Sequence, residues 1–358
     1  MGLQAVAKKE NENEVQNLVE DFAGVLKLYD DGSIVRTDHH LIMNVPPSEK
    51  PVAEDGGVAS RDVVINEELG IWVRIYLPIA TVSKLPLLLY FHGGGFCFLS
   101  PAFIASHHFC LKLAATIGAI VVSVNYRLAP EFCLPAAYDD CMEVLQWLRS
   151  SLSQSDPWLN AYADFRNVFL VGESSGGNIV HHLLMRTASA IHDKGSSEDS
   201  DSDSWDDEDE FGIRGAILLQ PFFGAQERTQ SEILCPAGAE VNVQLCDTLW
   251  RLSLPIGSSR DHPFSNPVKY LQLELPLPPM LVVLGGKDCL CDRGVEYYEA
   301  IHNSSKCKRI DLMLFDGEEH GFYHAYSVKE EENEEAHNVN TTRLMRQAAL
   351  FVSSNRAK

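Results

Sequence analysis

At 358 residues, 45% of them hydrophobic, the chain is long enough to bury a large core, as one big α/β domain or two smaller ones. Fifty acidic residues against 29 basic give a formal charge of −21, which is repelled by phosphate backbones and anionic bilayer surfaces and argues against nucleic acid or a membrane as partner. No apolar run reaches the roughly 18 residues of a membrane span, and the polar start, Met1 to Glu14, lacks a signal-peptide core, so the cytosol is the expected compartment, with the nucleus second.

In chain order, Glu14 to Leu28 carries Val15, Leu18, Val19, Phe22, Val25 and Leu26 at helical spacing, which predicts an amphipathic helix ahead of a turn at Asp30, Asp31 and Gly32. Val63 to Asn66 and Gly70 to Leu77 are β-branched and alternate in polarity, predicting an antiparallel edge pair. Apolar runs follow at Leu85 to Phe91, Ala119 to Val124, Val168 to Val171, Ala216 to Leu219, Met280 to Leu284 and Ile310 to Phe315, each a candidate buried strand. Helical patterns lie between several of them: Ala105 to Ile117, Ala136 to Ser150, Ile179 to Ala190 and Asp292 to Ile301. Leu344 to Phe351 closes the chain as one more. Such alternation predicts an α/β fold, a mostly parallel central sheet with helices on both faces. Asp193 to Glu210 stands apart. Its ten acidic residues against one Lys, with six Ser or Gly, bury too little apolar surface to order a chain, so a disordered acidic insertion is expected there. Nine cysteines, without a CxxC pair or a Cys/His metal spacing, read as reduced thiols.

The chemistry lies in four separated pieces. Val168 to Val171 runs into Gly172, Glu173, Ser174, Ser175 and Gly176, a G-x-S-x-G between a strand and a helix, the pattern of a nucleophile elbow. Ser174 is the candidate nucleophile. His92, Gly93, Gly94 and Gly95 follow the strand Leu85 to Phe91, and successive glycines leave backbone N–H groups open to an oxyanion. The amides of Gly94, Gly95 and Ser175 are the expected donors. A serine hydroxyl needs an adjacent base. Of thirteen histidines, His107, His108, His181 and His182 lie in helical stretches, whereas His320 follows the strand Ile310 to Phe315 in a loop, where such folds place catalytic groups. Asp288, just past the strand Met280 to Leu284, is the preferred orienting acid over Asp292, whose ordinary role would be a helix N-cap. The order Ser174, Asp288, His320 matches the α/β-hydrolases and neither chymotrypsin nor subtilisin. Phe96, Phe98, Phe222, Phe223 and Trp250 are candidate pocket walls, with aromatic core packing the alternative for each.

His92 to Phe96, Tyr126 to Glu131, Pro135 to Asp140, Gly172 to Ile179, Asp288 and His320 to Phe322 together resemble the plant carboxylesterases of the hormone-sensitive-lipase-like group. Pro221 to Gly224 with Glu227 to Thr229, and Trp250 to Pro255 ahead of Arg260 to Pro263, resemble the subgroup that contains a strigolactone-cleaving esterase. The resemblance implies one α/β-hydrolase domain over residues 1–358, a helical N-terminal cap over 1–45, and an insertion at 193–210 foreign to the family pattern. It implies hydrolysis of a small-molecule ester, a plant hormone or specialised metabolite such as a strigolactone, with no metal and no organic cofactor. Glu173 stands where the family usually has Asp, with no catalytic consequence expected. Two other activities sit on the same scaffold. Gibberellin receptors bind without hydrolysing because the base is lost, and isoflavanone dehydratases commonly carry Thr as nucleophile. His320 and Ser174 disfavour them in turn. The sequence carries no signal of oligomeric state.

Overall fold

The computed structural model describes residues 17–22, 26–31, 33–36, 43–51, 56–79, 83–150, 156–195, 206–207, 211–271, 276–304, 306–324 and 334–357. The chain divides into two compact units, Met1–Asn44 and Val45–Lys358.

The first unit departs from the expected helical cap. Leu18–Phe22 (β1), Leu26–Tyr29 (β2) and Ile34–Arg36 (β3) form a three-stranded antiparallel sheet, with Phe22 opposite Leu26 and Leu28 opposite Ile34. The helix read over Glu14 to Leu28 is therefore wrong wherever that stretch is described; residues 14–16 and 23–25 lie outside the described residues. The reason is physical. Leu26 and Leu28 alternate with Lys27 and Tyr29 at period 2, and Asp30, Asp31, Gly32 is a hairpin-turn sequence, so a short window that also fits 3.6 residues per turn closes as strands. Asp30 fixes the hairpin by accepting from the Asn17 backbone N–H at 3.1 Å and its side-chain amide at 2.8 Å.

In the second unit, one large sheet runs in the order Ile310–Phe315, Met280–Gly285, Phe211–Leu219, Ala163–Glu173, Leu85–Phe91, Ile120–Asn125, Ile71–Pro78, Val58–Asn66. The edge pair is Val58–Asn66 (β4) and Ile71–Pro78 (β5), antiparallel as the alternation predicted. β5 pairs antiparallel with Ile120–Asn125 (β7). From there Leu85–Phe91 (β6), Ala163–Glu173 (β8), Phe211–Leu219 (β10), Met280–Gly285 (β11) and Ile310–Phe315 (β12) are all mutually parallel. The apolar runs read from sequence are the centres of these strands.

Alternate residues build one core face: Leu88, Tyr90, Phe169, Val171, Ile217, Leu219, Leu281 and Val283 pack with Phe109 and Leu113 of Ile104–Ile117 (α1) and with Leu344 and Phe351 of the closing helix Glu334–Ser354. Each such side chain taken out of water contributes roughly 1.5–3 kcal/mol. The opposite face is covered by Cys291–Ser304, whose Gly294 lies so close to Leu284 that an added Cβ would meet it at 2.2 Å. Ala136–Ser150 (α2) and Ser175–Gly195 complete the major helices, and Pro157–Tyr162, Gln230–Leu234 and Val243–Ser253 are three that the apolar periodicity did not single out.

The acidic insertion read at 193–210 is described only in part. The helix Ser175–Gly195 runs into its first three residues, and Asp206–Asp207 pairs antiparallel with Phe211 and Gly212. Residues 196–205 and 208–210 lie outside the described residues. Among the described residues, no helix is long and apolar enough to cross a membrane.

Candidate active site

Parallel register brings five strand ends to one edge. Phe91 lies opposite Gly172, Glu173 opposite Leu219, Leu219 opposite Val283 and Gly285 opposite Phe315. His92, Ser174, Asp288 and His320 each follow one of these ends, so groups up to 228 positions apart in the chain (His92 to His320) converge. Ligands of open parallel sheets bind beyond this carboxyl edge.

Ser174 has φ of 51°, in the left-handed region that costs a non-glycine residue about 1–3 kcal/mol and persists only where the surroundings impose it. The surroundings are close backbone. A Cβ at Gly172 would lie 2.1 Å from the Gly176 carbonyl oxygen, and one at Gly176 would lie 1.9 Å from that of Phe91, so only glycine lets strand, helix and neighbouring strand meet. The Ser174 N–H donates to the Leu219 carbonyl at 2.8 Å, and its carbonyl accepts from Phe222 at 2.8 Å. Asn178, one turn into the helix, accepts from the Tyr138 hydroxyl at 2.7 Å and donates to the Phe264 carbonyl at 2.8 Å, which fixes the helix start.

The glycine loop is built against this elbow. A Cβ at Gly93 would stand 3.2 Å from that of Ser174. Gly94 and Gly95 have φ of 98° and 58°, and the Gly94 carbonyl accepts from Cys97 and Phe98 at 3.0 and 3.1 Å, turning the loop tightly. Among the described residues, the N–H groups of Gly94 and Gly95 donate to no protein acceptor, and Ser175, first in its helix, has no intrahelical partner for its own. His92 belongs to the scaffold. It is buried, stacks on Tyr126 at 4.3 Å and 12°, and burial lowers its pKa to about 4, keeping it neutral.

Asp288 and His320 are in direct contact, Nδ1 to Oδ2 at 2.7 Å, with side-chain exposures of 1% and 12%. Asp288 is steadied through its other oxygen, which accepts from the Leu290 N–H at 3.0 Å. Burial pushes the His320 imidazole pKa down, but the adjacent Asp288 charge and hydrogen bond push it up, and the net shift is upward. Every other described histidine with a resolved shift moves the opposite way, His181 to about 3 and His107 to about 4, chiefly by burial. The rival acid Asp292 is occupied elsewhere: its Oδ2 accepts from the Ser231 N–H at 2.7 Å, pinning one helix start to another.

A cleft of about 420 Å³ opens beside this pair, lined by Leu234, Cys235, Pro236, Val241 and Lys287 with Asp288 and His320. Of the aromatics read as pocket walls, Phe96, Phe222, Phe223 and Trp250 are instead core residues, only 1–2% exposed. Phe222 stacks on Trp250 at 4.3 Å and 6°, Phe96 packs on both, and Phe223 packs on Tyr297 at 4.7 Å. Large apolar area drove them into the interior, where aromatic pairs gain more than beside water. Phe98 alone of the five is half-buried.

Two elements of the site were not read from sequence. Glu173 and His324 form a buried carboxylate–imidazole contact at 2.8 Å, and Glu173 also accepts the Gly93 N–H at 3.1 Å, tying the glycine loop to the histidine loop. Gln220, between a strand end and Pro221, reaches both Asp288 and the backbone around His320. A polar residue at the end of an apolar strand was the available signal for each.

Residues 88–324 match the family model described as the alpha/beta hydrolase fold. The chain is 36% identical over 312 residues to Probable carboxylesterase 6 of Arabidopsis thaliana, covering 86% of this chain and 84% of that one. It is 36% identical over 274 residues to Tuliposide A-converting enzyme 2, chloroplastic, of Tulipa gesneriana, covering 74% and 65%. Among solved structures, esterase LipW from Mycobacterium marinum is similar with a TM-score of 0.66 at 26% identity, covering 85% of this chain and 84% of that one.

Proposed function

We propose that this chain, which belongs to the plant carboxylesterases of the α/β-hydrolase superfamily and is an ester-hydrolysing enzyme, acts by acyl transfer through Ser174, His320 and Asp288. The observation that carries the reading is the 2.7 Å Asp288–His320 contact at the same sheet edge as the left-handed elbow serine. His320 takes the hydroxyl proton as the Ser174 oxygen attacks the ester carbonyl carbon, and Asp288 fixes the tautomer and stabilises the imidazolium. The negative charge moves to the carbonyl oxygen, where the N–H groups of Gly94, Gly95 and Ser175 receive it; losing one such donor typically costs on the order of 10² to 10³ in rate. His320 then protonates the departing alcohol. Water, deprotonated by His320, releases the acid from Ser174.

The proton must reach the alcohol oxygen, so the alcohol lies on the imidazole side. The cleft at Leu234, Pro236 and Val241 borders His320 and not the glycine loop, and these three side chains suit an apolar alcohol part, with Glu240, Lys287 and Glu319 also among its walls. A plant hormone or specialised-metabolite ester, a strigolactone among them, is the substrate class in this reading. It is supported by the tulip relative, whose name gives its substrate as tuliposide A, and by a 3-O-acetylpapaveroxine carboxylesterase of Papaver somniferum.

The test is turnover of p-nitrophenyl acetate and butyrate by wild type, Ser174→Ala and His320→Ala, followed by a panel of plant hormone and metabolite esters. Loss of about 10⁴ to 10⁶ in each variant is expected. Unchanged turnover in both would sink the mechanism, and a panel with no ester preferred over the p-nitrophenyl esters would sink the substrate class.

A further inference from the structure

Gln220 follows the last residue of β10 and is wholly buried, at 0% exposure, with φ of 43°. A left-handed, non-glycine residue is held there only by its neighbours. Its backbone N–H donates to the Val283 carbonyl at 2.8 Å, while the carbonyl of the preceding Leu219 accepts the N–H of Ser174 at 2.8 Å. The strand end that holds the nucleophile therefore leads directly into Gln220.

The side-chain amide then reaches the other two groups. Nε2 donates to Asp288 Oδ2 at 3.0 Å, the same oxygen that receives His320 Nδ1, and to the Glu319 carbonyl at 3.0 Å. Oε1 accepts the N–H of Gly321 at 2.7 Å. One amide thus clamps the backbone on both sides of His320 and shares the oxygen on which the imidazole rests. Its orientation is fixed by chemistry, since the flipped amide would point NH₂ at the Gly321 N–H and a carbonyl at a carboxylate. Gly285 leaves the room, because a Cβ there would stand 2.6 Å from Nε2.

We propose that Gln220 is the positioning residue of the triad: it locks the Glu319–Gly321 backbone so that His320 faces Ser174, and it shares the charge of Asp288 so that the imidazole is not made too basic. The proposal rests on the assignment of Ser174, Asp288 and His320 made above. Gln220 touches no reacting atom. The charged groups around His320 are Asp288, Glu173 at the elbow and Glu240 on the loop before Val243–Ser253, with Glu319 next in the chain and Lys287 in the cleft. None is altered by substituting Gln220. With the Gln220 donor removed, Asp288 Oδ2 is left to His320 while Oδ1 keeps only the Leu290 N–H, and the imidazole holds its proton to higher pH.

The experiment measures kcat and KM for p-nitrophenyl butyrate against pH in Gln220→Met and Gln220→Glu, with Ser174→Ala alongside and thermal unfolding as the check of fold. Gln220→Met is expected to lower kcat roughly 10- to 100-fold through lost orientation, with KM changed by less than about threefold. The acid limb of kcat/KM moves to higher pH. Gln220→Glu is isosteric, keeps the acceptor for Gly321 and sets a second acid beside Asp288, so it moves the limb further in the same direction. If the Met variant does not fold, the Glu variant carries the reading alone. A folded variant with an unmoved limb overturns the proposal whatever its kcat, since a lost core plug lowers rate and stability without changing the base. An inactive Ser174→Ala with unmoved limbs overturns Gln220 only, whereas an active Ser174→Ala overturns the triad beneath it.

Discussion

Two carboxylate–imidazole pairs have their histidines four residues apart on one loop, and the proposed mechanism gives them different work. Asp288 meets His320 through Nδ1 at 2.7 Å, and Glu173 meets His324 through Nε2 at 2.8 Å. In the first, the imidazole is partly exposed, borders a cleft and, in the proposed mechanism, uses Nε2 to take the serine proton. In the second, both partners are buried, the bonded nitrogen is Nε2 itself, and the second carboxylate oxygen holds the N–H of Gly93. The pairing chemistry is the same. Which ring nitrogen is spent, and whether the other faces a cleft, separates a base from a brace.

The comparison breaks first on the histidines. His320→Ala should lose about 10⁴ to 10⁶ in turnover, with a smaller loss of stability than His324→Ala, because buried Asp288 keeps the Gln220 and Leu290 donors. His324→Ala should do the reverse, because it leaves Glu173 buried and unpaired, at a cost of about 3–5 kcal/mol in stability. Its folded fraction, assayed in the cold, should keep more than about a tenth of wild-type turnover. Steady-state kinetics beside thermal unfolding reads both, and a His324 variant that is stable but inactive would exchange the two roles.

The acids give the next largest effect. Asp288→Asn should cost on the order of 10⁴ in kcat, because an amide at that position favours the wrong imidazole tautomer. Asp292→Asn should cost less than about tenfold, since Asp292 bonds the Ser231 backbone and not the base. A more damaging Asp292 variant would reassign the orienting acid.

What was legible in the sequence is what backbone packing dictates locally. The strands around Leu88 and Val283, and the Val168 to Val171 stretch around Phe169, are apolar because both faces are covered, and Gly172 and Gly176 are glycine because a carbonyl occupies the place of a Cβ. The Glu173–His324 pair and the Gln220 contacts were not legible, since each joins residues 68 to 151 positions apart (Gln220 to Asp288, Glu173 to His324) whose meeting depends on register and loop path. Aromatic residues next to a motif look alike in sequence whether they wall a pocket or fill the core, as Phe96, Phe222 and Trp250 do here. The N-terminal hairpin was misread because short apolar windows fit both periods, and Asp30 to Gly32 carried the deciding information.

Acid should separate the pairs by function. The His320 imidazole has its pKa raised above the ordinary 6.5, so its base form, and kcat/KM with it, is lost as pH falls through that raised value. In stability the sign is opposite: the protonated pair stabilises the fold below about 6.5, and that contribution fades as pH rises through the folded value. Burial pushes the Glu173 carboxyl pKa up, but His324 and its hydrogen bonds outweigh this and hold it below 4.5. Its contribution is therefore full above 4.5 and lost only as pH falls through the lowered value. Activity should thus vanish before the fold does. Melting temperature and kcat/KM followed down the same pH series check this, and coincident losses would make His320 a structural group.

The smallest effect tests the cleft, which borders only the first pair. Val241 is half-buried in that wall, so Val241→Trp should narrow the space for the alcohol and leave the acyl side alone. For esters of one acid with alcohols of increasing size, kcat/KM should fall by about tenfold for the bulkiest, in line with the 1–3 kcal/mol that a misfit of about a methylene costs a pocket. For esters of one alcohol with lengthening acids it should change by less than about twofold. The reversed pattern would put the acyl chain beside His320. That would leave the leaving oxygen without a proton donor, and the oxygen's position relative to Nε2 would have to be reassigned along with the cleft.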